Sequence, residues 1–265
     1  MKLYSLEILQ VGSCRFPDFL FRKNGAFTMR HFPALVGLLH TSEGYILFDT
    51  GYSTHFKQAC GKFPNCLYGL VTPIQLSKEQ MLTSQLNERG IHEDEVSQIY
   101  LSHFHADHVA GLKDFPNATI VYPALALEAY QYLSKWEQVK QGFIAELLPE
   151  DFAERSLPKN AEPLMGGKVS EPVQLVGLAG HSPHHAGLLI TTLDVEILLA
   201  GDAFWTQDEL YGRENLTNLS KRIIDHAPTY LESQNLVKSW LNEGANRVVI
   251  ASHESPSKTY FNLTV

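Results

Sequence analysis

The chain has 265 residues, of which 44% are hydrophobic and 19% charged, and its formal net charge is −8. The 21 basic residues form no basic tract, which argues against nucleic acid as a partner. No stretch approaches the roughly 18 apolar residues that a membrane span needs, and three cysteines suit a reducing compartment, so we expect a cytoplasmic protein.

The length and composition favour a single α/β domain over residues 1–265. Several of the predicted strands are almost wholly apolar, which indicates that both of their faces are covered. Two sheets between layers of helices would satisfy this pattern. Strands are predicted at residues 3–11, 34–41, 45–51, 98–102, 118–122, 173–178, 187–193, 195–200 and 247–251, and helices at 78–89, 123–139 and 228–242.

Two stretches, residues 13–33 and 52–77, carry Gly, Pro, Cys and aromatic residues without a clean period. We expect long loops there, and loops of this length are usually lids or binding loops. Plain surface excursions or contacts with a second subunit, as in a homodimer, are equally compatible with the pattern. Cys60 and Cys66 match no familiar disulfide spacing, which favours free thiols.

The segment SHFHADH at residues 102–108 follows the apolar run QIYL and is dense in metal-binding side chains. In an extended chain residues i and i+2 point the same way, so His103 and His105 can converge on one ion, with about 2.1 Å to each nitrogen. Asp107 and His108 follow after a turn and would face a second site. Solvated loop histidines are the alternative, but this density at the end of a buried strand favours a metal site.

Three further candidate ligands each lie just beyond a predicted strand: His181 in LAGHSPHH, Asp202 in LLAGDAFW and His253 in VVIASHES. Any one of them alone is equally compatible with a plain turn residue. Their shared position after strands predicts that all three gather at one edge of the sheets. Imidazole and carboxylate ligands without thiolate suit zinc, although manganese, iron or cobalt fit the same ligands.

This series of motifs, with FDTG at residues 48–51 upstream, resembles the metallo-β-lactamase superfamily along nearly the whole chain. The resemblance implies an αββα sandwich of two mixed sheets flanked by helices, and a pair of divalent metal ions. It also implies a role for each matching residue. One ion would be bound by His103, His105 and His181, and the other by Asp107, His108 and His253, with Asp202 bridging them and with Asp49 and His185 as supporting residues that are not ligands.

Within the superfamily the segments EGYILFDTG, SHFHADHVAG, GHSPHHAGLLI and DAFWTQ are most similar to the N-acyl homoserine lactone lactonases. The resemblance implies that a hydroxide bridging two metal ions attacks the carbonyl of a lactone or ester, with Asp107 and Asp202 as catalytic residues. Two positions depart from the lactonase pattern: Trp205 replaces a tyrosine, and His184 replaces a glycine. Candidate substrate-binding residues are Trp205 and Phe104, with Phe16, Phe19, Phe21, Phe56 and Tyr68 as further candidates for the wall of an acyl pocket. For each of these aromatic residues, packing in the core is the alternative.

Other functions remain open at this stage. An arylesterase, a phosphotriesterase or a thioester hydrolase could use the same centre on a different small-molecule substrate. A thioester of glutathione is disfavoured because no basic cluster lies near the C-terminus, and a nuclease is disfavoured by the acidic charge. A ligand sensor of another class would keep the metals only to stabilise its loops and would turn over no ester.

Overall fold

The computed structural model describes residues 2–167, 171–255 and 263–264, which form two mixed β-sheets. The strands of the larger, eight-stranded sheet are β1 (Leu3–Pro17), β2 (Met29–Thr41), β3 (Gly44–Phe48), β4 (Ile74–Gln75), β5 (Val96–Tyr100), β6 (Thr119–Pro123), β7 (Ser156–Lys159) and β12 (Leu263–Thr264). Those of the smaller, four-stranded sheet are β8 (Val173–Gly177), β9 (Ala186–Thr191), β10 (Glu196–Leu199) and β11 (Arg247–Ile250). The larger sheet has the order β12-β1-β2-β3-β5-β6-β7, with β4 paired to β1, and the smaller sheet has the order β11-β10-β9-β8.

Each sheet combines parallel and antiparallel pairs. In the larger sheet β1, β2 and β3 pair antiparallel, whereas β3, β5, β6 and β7 run parallel. In the smaller sheet β10 pairs parallel with β11 and antiparallel with β9. The helices are α1 (Asp18–Phe21), α2 (Thr54–Ala59), α3 (Asn65–Val71), α4 (Leu82–Glu88), α5 (Ala106–Val109), α6 (Glu128–Gln131), α7 (Lys135–Lys140), α8 (Phe152–Arg155), α9 (Gln207–Leu210) and α10 (Ala227–Glu243).

Alternation along the strands of the smaller sheet explains its apolar sequence. Leu188 on β9 and Leu199 on β10 belong to the core cluster between the sheets, whereas their neighbours Leu189 and Leu198 face the other way. On that outer side Trp240 of α10 covers the sheet. Because successive side chains point to opposite faces, a strand covered on both sides must be apolar at every position. The predicted αββα sandwich is confirmed.

The prediction of a loop at residues 13–33 is wrong over much of its length. β1 continues to Pro17, α1 follows, and β2 begins at Met29, so that Ser13 pairs with Pro33 and Pro17 pairs with Met29. We refer to the paired segments 13–17 and 29–33, with the α1 turn between them, as the hairpin arm. A register shift just before Ser13 interrupts the alternation of side chains, so this part of the strand has no period-2 pattern to detect.

The second predicted loop, residues 52–77, also contains regular structure in α2, α3 and β4, all shorter than the windows in which a period can be recognised. The predicted helix at 123–139 is divided into α6 and α7, because the Ser134 side chain caps a new helix start. β7 at Ser156–Lys159 was not predicted. Cys14, Cys60 and Cys66 are free thiols, as favoured for Cys60 and Cys66.

None of the helices in the described part of the chain combines the length and the hydropathy that crossing a membrane would require.

The core between the sheets predicts that substitutions of Leu188 and Leu193 will change the free energy of unfolding by different amounts. Leu188 is 0% exposed between the sheets, whereas Leu193, in the turn that follows β9, is fully exposed. Leu188→Ala should lower the free energy of unfolding by about 2–5 kcal/mol, because it removes buried methyl groups and leaves a cavity. Leu193→Ala is the matched control and should leave it nearly unchanged. Urea denaturation measures both, and equal effects would contradict this assignment of the core.

Candidate metal centre

The seven predicted ligands come together at one edge of the two sheets, and all are buried. Four of them lie in the segment that follows β5 and includes α5, namely His103, His105, Asp107 and His108. His181 follows β8, Asp202 follows β10 and His253 follows β11. Strand ends of both sheets therefore supply the centre, as their positions in the sequence predicted.

One group of side chains that could hold a metal ion consists of His103, His105, His181 and Asp202, with one ligand atom of each within 4.8 Å of the others. His105 Nδ1 lies 3.1 Å from His181 Nε2. His181 Nε2 lies 3.1 Å from Asp202 Oδ2. Three imidazoles and a carboxylate at such spacing can surround a single ion.

The second group consists of Asp107, His108 and His253, again with ligand atoms within 4.8 Å of one another. Asp107 Oδ2 lies 3.5 Å from His253 Nε2 and 3.7 Å from His108 Nε2. The segment after β5 thus contributes to both groups, with His103 and His105 in the first and Asp107 and His108 in the second.

Asp202 lies between the two groups and touches both. Its Oδ1 is 3.4 Å from His108 Nε2, whereas its Oδ2 is 3.1 Å from His181 Nε2 and 3.2 Å from His253 Nε2. Because this one carboxylate is close to members of both groups, it is suited to be shared between two ions.

Three of the histidines are held by a hydrogen bond at Nδ1, which directs Nε2 toward the centre. Such a contact fixes the ring orientation of a metal ligand and increases its basicity. The partners are Ser102 Oγ for His103 (2.9 Å), Asp49 Oδ2 for His108 (2.8 Å) and the carbonyl of Pro33 for His253 (2.8 Å).

Buried polar atoms without partners provide a direct test of whether metal ions fit this centre. His103 Nε2, His108 Nε2 and Asp202 Oδ1 are buried and have no hydrogen-bond partner among the described residues. A buried polar atom left unpaired costs about 1–3 kcal/mol. All three atoms belong to the two groups described above, and bound cations would satisfy them. The donor set therefore fits two divalent ions.

The charges of the site favour the same conclusion. Burial, followed by the charge of neighbouring imidazoles, lowers the pKa of His103 and His105 well below the usual value, which keeps them in the neutral form that binds metals. Burial also acts to lower the pKa of His253, but the charge and the hydrogen bond of Asp202, together with the charge of Asp107, outweigh burial and raise that pKa to about 9. The buried carboxylates thus strongly favour positive charge at the centre.

Asp49 and His185 occupy supporting positions. Asp49 has a φ of 62° and accepts hydrogen bonds from the Ser102 backbone N–H (2.8 Å) and from His108 Nδ1. His185 Nδ1 donates to the Leu178 carbonyl (2.9 Å), and its Nε2 accepts from the Asp202 backbone N–H (2.9 Å). Both nitrogens of His185 are therefore engaged with the protein. The neighbouring His184, which replaces the glycine of the lactonase pattern, has a left-handed φ of 54°.

A cavity of about 340 Å³ opens onto the two groups and is lined mostly by apolar side chains. Trp205 lines it, and its indole Nε1–H donates to Asp202 Oδ2 at 3.2 Å. Of the other aromatic candidates, Phe16, Phe21 and Tyr68 line the cavity, whereas Phe19 and Phe56 do not. Sequence reasoning missed several wall residues because none of them lies in a recognisable motif: Cys14, Phe32, Tyr52, Leu67, Val71, Trp136, Val139 and Ile223.

The structure corrects the prediction for Phe104, which is 0% exposed and lies in the core. Its ring packs edge-on against Tyr122 and Phe143, at centroid distances of 5.3 and 6.2 Å. We refer to the two groups of possible metal ligands described above as the metal groups. His103 and His105 face them, so Phe104 between these two histidines points to the opposite side. Phe104 therefore packs in the core beneath the segment that carries His103 and His105, and it does not line the cavity.

Residues 29–243 match the family described as the metallo-beta-lactamase superfamily, which is more than half of the chain. The chain belongs to the metallo-β-lactamase superfamily. The family and the fold predicted from the sequence motifs are thus both confirmed.

Relatives within the superfamily agree with the predicted enzyme class, a metal-dependent hydrolase. The N-acyl homoserine lactonase AiiA of Bacillus thuringiensis subsp. kurstaki is 29% identical over 197 residues, which cover 72% of this chain and 71% of that protein. A solved N-acyl homoserine lactone hydrolase, with the product N-hexanoyl-L-homoserine bound at its catalytic metal centre, has a TM-score of 0.74 at 21% identity and covers 96% of this chain and 94% of its own. The dizinc quorum-quenching lactonase AidC has a TM-score of 0.70 at 17% identity, covering 100% of this chain and 95% of its own.

The position of Phe104 in the core predicts that this side chain contributes to the stability of the fold. Phe104→Ala should lower the free energy of unfolding by about 3–5 kcal/mol, because it empties a closely packed aromatic site. Phe27, which is 89% exposed, offers the matched control, and Phe27→Ala should change the stability little. Thermal or urea unfolding of the two variants decides the question, and a stable Phe104→Ala protein would count against the core assignment.

Proposed function

We propose that this protein is a lactonase-like hydrolase that cleaves lactones or other carboxylic esters with the help of two divalent metal ions. One observation supports this proposal most strongly: two groups of buried metal-binding side chains share Asp202 and open onto an apolar cavity. The metal groups supply the chemistry, and the cavity can accept an acyl chain. Neither feature alone would distinguish an ester hydrolase from a storage site for metal or a general apolar pocket.

In this proposal His103, His105 and His181 would hold one ion, and Asp107, His108 and His253 would hold the other, with Asp202 shared between the two groups. Nitrogen and oxygen donors without thiolate favour zinc, and manganese, iron or cobalt fit the same set. When bound, two such ions supply hydroxide at neutral pH and polarise the carbonyl of the substrate.

The protein side chains have separate tasks. Asp107 borders the cavity and is placed to take a proton from the attacking water and deliver it to the leaving alkoxide. Asp202 is held by the His185 contact to its backbone and by the Trp205 indole to its side chain. Because the indole N–H is already engaged with Asp202, Trp205 offers the substrate its apolar face.

The cavity favours a substrate with an apolar acyl part. Five side chains of the two metal-binding groups border the cavity, and Phe16, Phe21, Tyr68 and Trp205 form part of its wall. A ligand carbonyl placed at the metal groups would leave its chain against these side chains. The names of the relatives make N-acyl homoserine lactones the first substrates to examine. The single domain over residues 1–265, the cytoplasmic location and a homodimer stay predictions.

The metal assignment predicts that hydrolysis depends on the ligands. His103→Ala and Asp202→Ala should each reduce kcat/KM on lactones or aryl esters by at least about a hundredfold, while the chain remains folded, because the activated water and its orientation are lost. The assay uses lactones of varied acyl length, aryl esters and phosphotriesters, with metal content measured by elemental analysis and activity measured with and without chelator. Undiminished activity in either variant would refute the assignment. Two metals per chain without turnover of any substrate would favour the ligand sensor.

The contact between Asp49 and His108 predicts a change in metal affinity. Asp49→Asn should weaken Zn²⁺ binding by about 10–100-fold, because the amide no longer orients the His108 ring as the carboxylate does. Calorimetric titration of the metal-free protein measures this directly. Asp194→Asn, on an exposed turn, is the control and should bind Zn²⁺ like the parent. Equal affinities for all three proteins would remove Asp49 from the metal centre.

A further inference from the structure

The charges that line the cavity are distributed unevenly. Its acidic lining residues among those described are Asp107 and Asp202, and both belong to the metal groups. Two basic residues, Arg15 and Lys140, also line it, although the chain as a whole has a net charge of −8. With cations at the metal groups, the whole cavity would carry a positive potential.

Arg15 lies on the hairpin arm and lines the cavity. In the described part of the chain its guanidinium forms no ion pair, and its Nε is buried without a hydrogen-bond partner. The backbone is anchored, since the Arg15 N–H donates to the Pro73 carbonyl at 3.1 Å. An anchored arginine with free donors is prepared to bind an oxyanion, because its planar fork matches a carboxylate.

Other arginines of the same region show that this lack of a partner is not general. Arg22 and Arg30 flank the hairpin turn, and both pair with the buried carboxylate of Glu214, at 2.8 and 2.7 Å. Neither of them lines the cavity. Among the described residues, Arg22 and Arg30 are thus each neutralised by a carboxylate, whereas Arg15, which lines the cavity, has none within salt-bridge distance.

Lys140 is the last residue of α7 and lies at the solvent-exposed side of the cavity. Its Nζ is 5.1 Å from the centroid of the Trp136 ring, which also lines the cavity and is 44% exposed. A cation over an indole face is held in place without being neutralised. No carboxylate among the described residues is within salt-bridge distance of its ammonium group. A second free cation therefore faces the same space as Arg15.

We propose that Arg15 and Lys140 bind an anionic group on the acyl part of the substrate, such as a terminal carboxylate. The inference rests on the proposed hydrolase function and narrows its substrate class to esters or lactones of acids that carry a second charge. The scissile carbonyl belongs at the metal groups, so a further oxyanion must lie elsewhere on the substrate. Because Lys140 and Trp136 are exposed, that group can stay partly hydrated, which limits the cost of its desolvation.

A matched pair of esters tests the proposal on the metal-loaded protein. p-Nitrophenyl hexanoate and the mono-p-nitrophenyl ester of adipic acid have the same leaving group and the same number of acyl carbons, but only the second ends in a carboxylate. The parent protein should show a kcat/KM roughly tenfold higher for the adipate ester, which corresponds to a hydrogen bond with a charged group. Added salt should reduce that preference. Equal rates for both esters, or a preference for hexanoate, would overturn the proposal.

Three single variants identify the side chains responsible. Arg15→Gln and Lys140→Gln should each remove most of the adipate preference, because they lower kcat/KM for the adipate ester more than for the hexanoate ester. Lys78→Gln removes the same charge from an exposed position outside the cavity and should preserve the preference. If all three variants respond alike, the effect is one of net charge and the proposed subsite is refuted.

A binding measurement separates this proposal from the proposed hydrolase function. Hexyl sulfate has an apolar chain and an anionic end but no ester bond to cleave at a carbonyl, and calorimetry reports its affinity without turnover. Its affinity should fall several-fold in Arg15→Gln and Lys140→Gln and remain constant in Lys78→Gln. If neither ester is hydrolysed but this pattern appears, the hydrolase function fails and the anion subsite stands. Unchanged hexyl sulfate binding in all variants would overturn the subsite even in an active esterase.

Discussion

Negative charge buried at the edge of two sheets is the constraint on which the rest of this structure depends. Asp49, Asp107 and Asp202 are each less than 10% exposed, and they stand among imidazoles that are buried as deeply. Carboxylates are costly to bury unless positive charge or hydrogen bonds compensate them. Hydrogen bonds within the protein satisfy Asp49, whereas one oxygen of Asp202 has no hydrogen-bond partner among the described residues. Cations are the natural complement, and their binding would then contribute to the stability of the fold.

The fold meets this constraint by dividing the work between strands and the segments that follow them. Strands β9 and β10 pack apolar side chains on both faces because the smaller sheet is covered on both sides, and the metal-binding side chains gather where the strands end. There, main-chain and side-chain groups from distant parts of the chain hold the imidazole rings. The Pro33 carbonyl of the hairpin arm orients His253, and the Asp49 carboxylate after β3 orients His108. The orientation of His108 and of His253 thus depends on a partner that lies far away in the sequence.

The walls of the cavity come from segments that have no catalytic motif. The hairpin arm, α3 and α7 supply aromatic and aliphatic side chains, and they also supply the two cations Arg15 and Lys140. Trp205 connects the metal groups with the cavity wall. Its indole N–H donates to the Asp202 carboxylate, and its ring packs against Phe21 with a centroid distance of 5.2 Å. Chemistry and selectivity are therefore encoded in different stretches of the chain. Substrate preference can change through the walls without any change in the seven side chains of the metal groups.

The sequence by itself determined the apolar strands, the layered arrangement and the seven side chains that meet at the sheet edge. These features are readable because they depend on local patterns: continuous apolar runs, and polar residues directly after them. Only the tertiary structure decided that Phe104 packs into the core, that Ser13 pairs with Pro33, and that Ser156 pairs with Ile120 in an unpredicted edge strand. It alone brought Arg15 and Lys140 to one cavity. Such features depend on strand register and on packing between distant segments, which leave no periodic signal within any single stretch of the sequence.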